Sequence, residues 1–143
     1  REFIPKNHTE GSRALRLLDS IGGFCREKTF QRNAPYAPGV TGIRLSQTEF
    51  AKLHSTSRPL GGGGDVLTRV LAECAADNLV VARPSSASAS RESGTIFYLN
   101  RTLCACYGLP VQMGGWQDVS ASELIDWMER GFVPSRRRKL EMN

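Results

Sequence analysis

Two histidines, His8 and His54, are all that the 143-residue chain contains, and they lie far apart. Neither a Gly-x-Ser-x-Gly elbow nor a His-Glu-x-x-His helix is present, so there is no nucleophile, base or metal set to assemble into an active site. No apolar run approaches the ~20 residues that span a bilayer. The four cysteines, Cys25, Cys74, Cys104 and Cys106, are too few for a secreted disulfide scaffold. None of them forms a Cys-x2-Cys pair, which argues against structural zinc and for small buried hydrophobes in a reducing compartment. The run Gly61–Gly64 is not followed by Lys-Ser or Lys-Thr, and Asp65 would repel a phosphate there. Glu73 and Asp77, one helical turn apart, read as a solvated edge. The expectation is therefore no catalytic site, cofactor site, small-molecule substrate site or membrane span in this segment, with an enzyme fragment lacking its catalytic half as a third alternative.

Basic charge is in modest excess: 19 Lys and Arg against 14 Asp and Glu give a net charge of +5 and a pI near 9.3. That balance favours an acidic partner without reaching a histone-like composition. The length suits one domain, able to bury roughly two thirds of the surface its unfolded chain exposes. The first residues, Arg1-Glu2-Phe3, show neither an initiator Met nor a signal-peptide pattern. The expectation is one module of a longer intracellular protein, cytoplasmic or, in a eukaryote, nuclear.

The stretch from Leu45 to Leu79 organises the chain. Ser46 and Glu49 stand at capping-box spacing, with Leu45 and Phe50 placed as a hydrophobic staple, so a helix starts after Ser46. Ser57 to Gly64, rich in glycine and with Pro59, breaks it. Asp65 is placed to cap a second helix, in which Leu67, Val70, Leu71 and Cys74 form one apolar stripe. Thr68, Arg69, Ala72, Glu73 and Ala76 then face outward. Asn78, tolerant of the left-handed conformation, ends it, and Leu79 supplies the hydrophobic contact beyond.

Around this stretch the other elements fall into order. Residues 1–11 read as a polar arm. Ala14, Leu17, Leu18, Ile21 and Cys25 keep helical period, with Arg13, Arg16 and Asp19 on the outer face and Gly22 and Gly23 weakening the helix end. Residues 26–40 read as a loop pinned by Phe30 and Tyr36. Thr41–Leu45 alternates as a strand. Leu79–Arg83 and Thr95–Leu99 read as two paired strands joined by the polar loop Pro84–Gly94. Asn100 caps a short helix ended by Gly108 and Pro110. Leu109–Gln117 reads as a linker whose Trp116 folds back over a core edge. The box Ser120-x-x-Glu123 starts a last helix that stops at Gly131 and carries Leu124, Ile125, Trp127 and Met128 on a wide apolar face.

The order helix, strand, helix, helix, strand, long loop, strand over Ser12–Leu99 resembles the winged helix-turn-helix superfamily, in which three helices are backed by a small antiparallel sheet whose last hairpin is the wing. The resemblance implies an α+β winged helix over residues 12–99, followed by a helical extension at 100–133 and a basic tail at 134–143. It departs from a compact helix-turn-helix in its long turn, Ser55–Gly64. It implies duplex DNA as partner, with the helix after Asp65 entering the major groove through Thr68 and Arg69. Arg58 would meet the backbone beside that helix, Arg83 and Arg91 would make hairpin contacts, and the tail residues Arg136, Arg137 and Arg138 would add phosphate attraction. The rival expectation is a winged-helix interaction or oligomerisation module, contacting a second copy or other domains of a parent protein through Trp127 and Met128.

Overall fold

The computed structural model describes residues 13–31, 38–56, 64–85, 92–110 and 114–132. Expectations for the arm at 1–11, for Tyr36, for the break at 57–63 and for the tail at 134–143 lie outside them. Within the described residues the chain is α+β, with five helices and a four-stranded mixed sheet. The elements are α1 (Arg13–Phe30), β1 (Val40–Ser46), α2 (Gln47–Ser55), α3 (Gly64–Ala76), β2 (Val80–Ser85), β3 (Gly94–Leu99), α4 (Arg101–Cys106), β4 (Gly115–Asp118) and α5 (Ala121–Arg130). Among them no helix is long and apolar enough to cross a membrane.

Local hydrogen bonding fixes most element ends. Ser46, Asn100 and Ser120 each accept a backbone N–H from three residues on and so start α2, α4 and α5. Asn78, at φ 61°, and Gly108, at φ 72°, adopt the left-handed conformation after α3 and α4. In both places the paired N–H bonds of a Schellman turn follow: Leu79 and Asn78 donate to Cys74 and Ala75, and Leu109 and Gly108 donate to Cys104 and Ala105. Asp65 is not the cap of α3. The helix already includes Gly64, and Asp65 sits in its first turn.

α1 runs through Gly22 and Gly23 to Phe30, past the end expected near Cys25. The glycines are there because rings lie against the helix. A Cβ on Gly22 would come within 2.5 Å of the Tyr107 ring, and one on Gly23 within 2.8 Å of Trp127. Tertiary packing therefore outweighs the poor helix propensity of glycine. Phe30 does not pin a loop: it is 70 % exposed, with the Arg26 guanidinium over its ring. Asp19, expected on the outer face, is buried and accepts the Tyr107 hydroxyl at 2.8 Å.

The strand order is β2-β3-β1-β4. β2 and β3 form an antiparallel hairpin from Val80↔Leu99 to Ser85↔Gly94, and β3 pairs antiparallel with β1. β4 pairs parallel with β1, where a linker was expected. Its sequence Gly-Trp-Gln-Asp lacks the alternation of a half-buried strand. Pairing is secured by partners distant in the chain: the Gly114 N–H donates to Thr41 Oγ1 at 2.8 Å and the Gly115 N–H to the Gly39 carbonyl at 2.9 Å.

Ile43, Leu45, Phe97 and Leu99 join Leu17, Leu18 and Ile21 of α1, Leu67, Val70 and Leu71 of α3, and Leu124 and Met128 of α5 in one core. Thr29 links the last turn of α1 to the sheet, accepting the Val40 N–H while donating to the Cys25 carbonyl, both at 2.8 Å.

Candidate nucleic-acid interface

The apolar stripe of α3 is buried as its spacing requires, which turns Arg69 into solvent together with Asp65, Ala72, Glu73, Ala76 and Asp77. Thr68 is half-buried. Its hydroxyl donates to the Asp65 carbonyl at 3.0 Å and lies 3.5 Å from His54 Nε2, so its donor is already engaged within the helix pair. Arg83 is exposed on β2, at the outer edge of the sheet. Thus, of the residues expected to meet DNA, Arg69 and Arg83 are surface cations. Arg58, Arg91, Arg136, Arg137 and Arg138 lie outside the described residues. Among the described residues acidic side chains slightly outnumber basic ones, so the positive excess of the chain belongs to the segments outside them.

The alternative contact face is partly covered by the domain itself. Met128 is buried in the core, because the apolar side of α5 packs on α1. It is therefore not available to a partner as the rival contact required. Trp127 is half-buried, edge-on to Phe132 at 6.2 Å, with the Arg130 guanidinium 4.6 Å from its ring centroid.

Several polar residues that sequence reasoning gave no role hold the hairpin in place. Register aligns Arg83, Ile96, Arg44 and Asp118 in one row across the sheet, on the face opposite Ile43 and Leu45. Arg44 is only 5 % exposed. Its Nη1 donates to the Asp118 carboxylate at 2.9 Å, its Nε to Ser85 Oγ at 2.8 Å, and its Nη2 to the Glu92 carbonyl. The first turn of α2 grips the same arm of the hairpin: the Gln47 N–H donates to the Ser93 carbonyl at 3.0 Å, and the Thr48 hydroxyl to the Glu92 carboxylate. The alternation Gly42-Ile43-Arg44-Leu45 signals that Arg44 leaves the core side, but not that polar groups from three other segments enclose it.

Glu49 departs from the expected reciprocal box. The Ser46 hydroxyl accepts the Glu49 N–H at 3.2 Å, but the Glu49 carboxylate crosses to accept the Ala121 N–H at the start of α5 at 2.8 Å, and Lys52 at 3.0 Å. The Ala121 N–H, ahead of Lys52 and against a cost of desolvation, holds this carboxyl below its ordinary value. Beside it a groove of about 550 Å³ separates α2 from α5, with Glu49, Lys52, Asp126 and Glu129 on its walls and Ile125 among its apolar lining.

Among the described residues no group of three or more His, Cys, Asp or Glu side chains is gathered to hold a metal ion. The four cysteines are buried. What the surface offers chemically is exposed guanidinium groups on a helix and a hairpin, suited to anionic oxygens. No family model, curated protein or solved structure matches the chain.

Proposed function

We propose that the chain is a winged-helix module, without catalytic activity of its own, that binds duplex DNA mainly through phosphate contacts as part of a larger intracellular protein. The order α1, β1, α2, α3, β2, β3 with strands arranged β2-β3-β1 supports the winged-helix reading. In that reading β2–β3 is the wing, α3 is the recognition helix, and α4, β4 and α5 are an extension packed on the core. The observation that carries the DNA reading is the pair of exposed cations, Arg69 on α3 and Arg83 on the wing strand, the two elements with which winged helices meet a duplex. Arg58, Arg91 and Arg136–Arg138, outside the described residues, add to the positive charge of the chain. Base readout is limited, since the Thr68 hydroxyl is engaged and the outer face of α3 offers little else that donates.

A second reading is favoured by one observation: Arg69 shares the outer face of α3 with Asp65, Glu73 and Asp77. A duplex lying along the whole helix would meet three carboxylates, whereas a protein partner with basic side chains would not be repelled. In that reading the module serves interaction or oligomerisation through α3, since Met128 is buried.

Titration of a labelled duplex across a salt series separates the two. On the DNA reading, log K falls with log salt at a slope of about −0.9 per phosphate contacted. Arg69→Ala and Arg83→Ala should each flatten that slope by about one. Absence of binding even at low salt would leave the interaction reading.

A further inference from the structure

The hairpin is more firmly tied at its loop end than two paired strands require, and the ties converge on one side chain. Arg44 lies on β1, the strand next to β3, yet its guanidinium reaches one row toward the hairpin's loop end to bond Ser85 of β2 and the carbonyl of Glu92. Its third bond runs the other way, to Asp118 on β4. A single planar group thus spans the sheet from its last strand to its first. Gly94 stands in the row between Ser46 and Ser85, where a Cβ would come within 2.3 Å of the Leu45 carbonyl. β3 is therefore pressed closely on β1 at the loop end of the hairpin.

We propose that Arg44 is the positioning residue of the wing: it sets the direction in which the hairpin projects, and so where Arg83 meets a partner, without touching that partner itself. The inference rests on the winged-helix reading for its functional consequence and on the hydrogen bonds alone for its mechanical one. A hairpin joined to the sheet only through the β3–β1 ladder can twist about that ladder, because paired strands tolerate a wide range of twist. The guanidinium removes this freedom. Its donors are fixed in one plane, so holding Asp118, Ser85 and Glu92 together allows one relative orientation of β4, β1 and the hairpin. An ammonium is a single point and cannot reach all three. Asp118 is half-exposed, so a neutral residue at position 44 strands no buried anion.

The test uses the whole chain with Arg44→Gln, Arg44→Lys, Ser85→Ala and Asp118→Asn, read by amide hydrogen exchange and by duplex titration. In Arg44→Gln the amides of Ser85 and of 94–96 should exchange at least about tenfold faster, while those of α1, α3 and α5 keep their protection. Arg44→Lys should restore the global melting temperature but not the hairpin protection. Ser85→Ala should loosen the hairpin and Asp118→Asn should loosen β4, which keeps the proposal falsifiable if Arg44→Gln fails to fold. For binding, Arg83→Ala should weaken DNA affinity in the wild-type background and change it little in Arg44→Gln, since a misdirected wing no longer delivers that cation. Unchanged hairpin exchange in Arg44→Gln, or full rescue of it by Lys, would overturn the proposal, as would additive effects of the two arginine substitutions. If the wild-type chain binds no duplex, the DNA reading fails while the exchange data still decide whether Arg44 directs the hairpin.

Discussion

Gly22→Ala sets helix propensity against packing, and the geometry decides which wins. Gly22 lies within an 18-residue helix, where alanine is favoured over glycine by about 1 kcal/mol. The added methyl would lie 2.5 Å from two carbons of the Tyr107 ring and 2.7 Å from a third, where relaxed carbon contacts need about 3.5–4.0 Å. That overlap of about 1 Å has nowhere to go: Tyr107 is fully buried and its hydroxyl is tied to Asp19. Overpacking of this kind costs about 1–3 kcal/mol. With the ring held at both ends the upper part of that range applies, leaving a net loss of about 2 kcal/mol after the gain in propensity. For a domain of this size that lowers Tm by roughly 7 °C.

Urea unfolding followed by tryptophan fluorescence should show a lower midpoint with an unchanged m-value. Gly23→Ala meets Trp127 and Phe132 at 2.8 and 2.9 Å, but both rings are only partly buried and can yield, so its loss should be smaller. In a Tyr107→Leu background Gly22→Ala should lose most of its penalty. A Gly22→Ala chain as stable as the wild type would show that the ring does not bear on the helix, and the packing argument would fall.

Two further outcomes follow from the titrating groups. The Glu49 carboxyl is held below its ordinary value of 4.5 chiefly by the Ala121 N–H, so it stabilises the fold above its unfolded pKa, and that contribution is lost as pH falls through the folded pKa. Glu49→Gln should therefore flatten the acid limb of the stability curve and speed amide exchange at Ala121; an unchanged acid limb would refute the cross-helix cap. Burial pushes the Cys74 thiol up to about 12 and the Cys104 thiol up to about 11, and burial together with Cys104 raises Cys25 as well. A thiol-specific reagent at pH 8 should then label the chain only at the rate at which it opens; rapid stoichiometric labelling of the native protein would contradict the burial.

Features satisfied by near neighbours were readable before any coordinates. The caps at Ser46, Asn100 and Ser120, the left-handed Asn78 and the α3 stripe all depend on residues within four positions, and a local pattern suffices to find them. The exposure of Arg69 follows from the same stripe. Features satisfied from a distance were not readable. Gly22 and Gly23 look like helix breakers until Tyr107 and Trp127 are laid against them. β4 has no strand pattern of its own and exists because Thr41, Gly39 and β1 accept it.

The candidate site divides along the same line. Glu49 stands at box spacing from Ser46, yet its carboxylate serves a helix 72 residues further along the chain. Met128 belongs to an apolar face whose occupant, α1, no reading of α5 alone identifies. Arg44 alternates like an ordinary surface residue, and only the fold brings Asp118, Ser85 and Glu92 around it.

The four-stranded sheet also bears on how these molecules behave in a crowded solution. Its two outer strands are β2 and β4, where unpaired main-chain groups could recruit another chain and begin aggregation. β4 is only four residues long, too short to template much. β2 carries Pro84, which has no N–H to offer, next to the charge of Arg83. Each border is thus a poor start for a fibril, and copies of the chain can meet at high concentration without their sheets fusing.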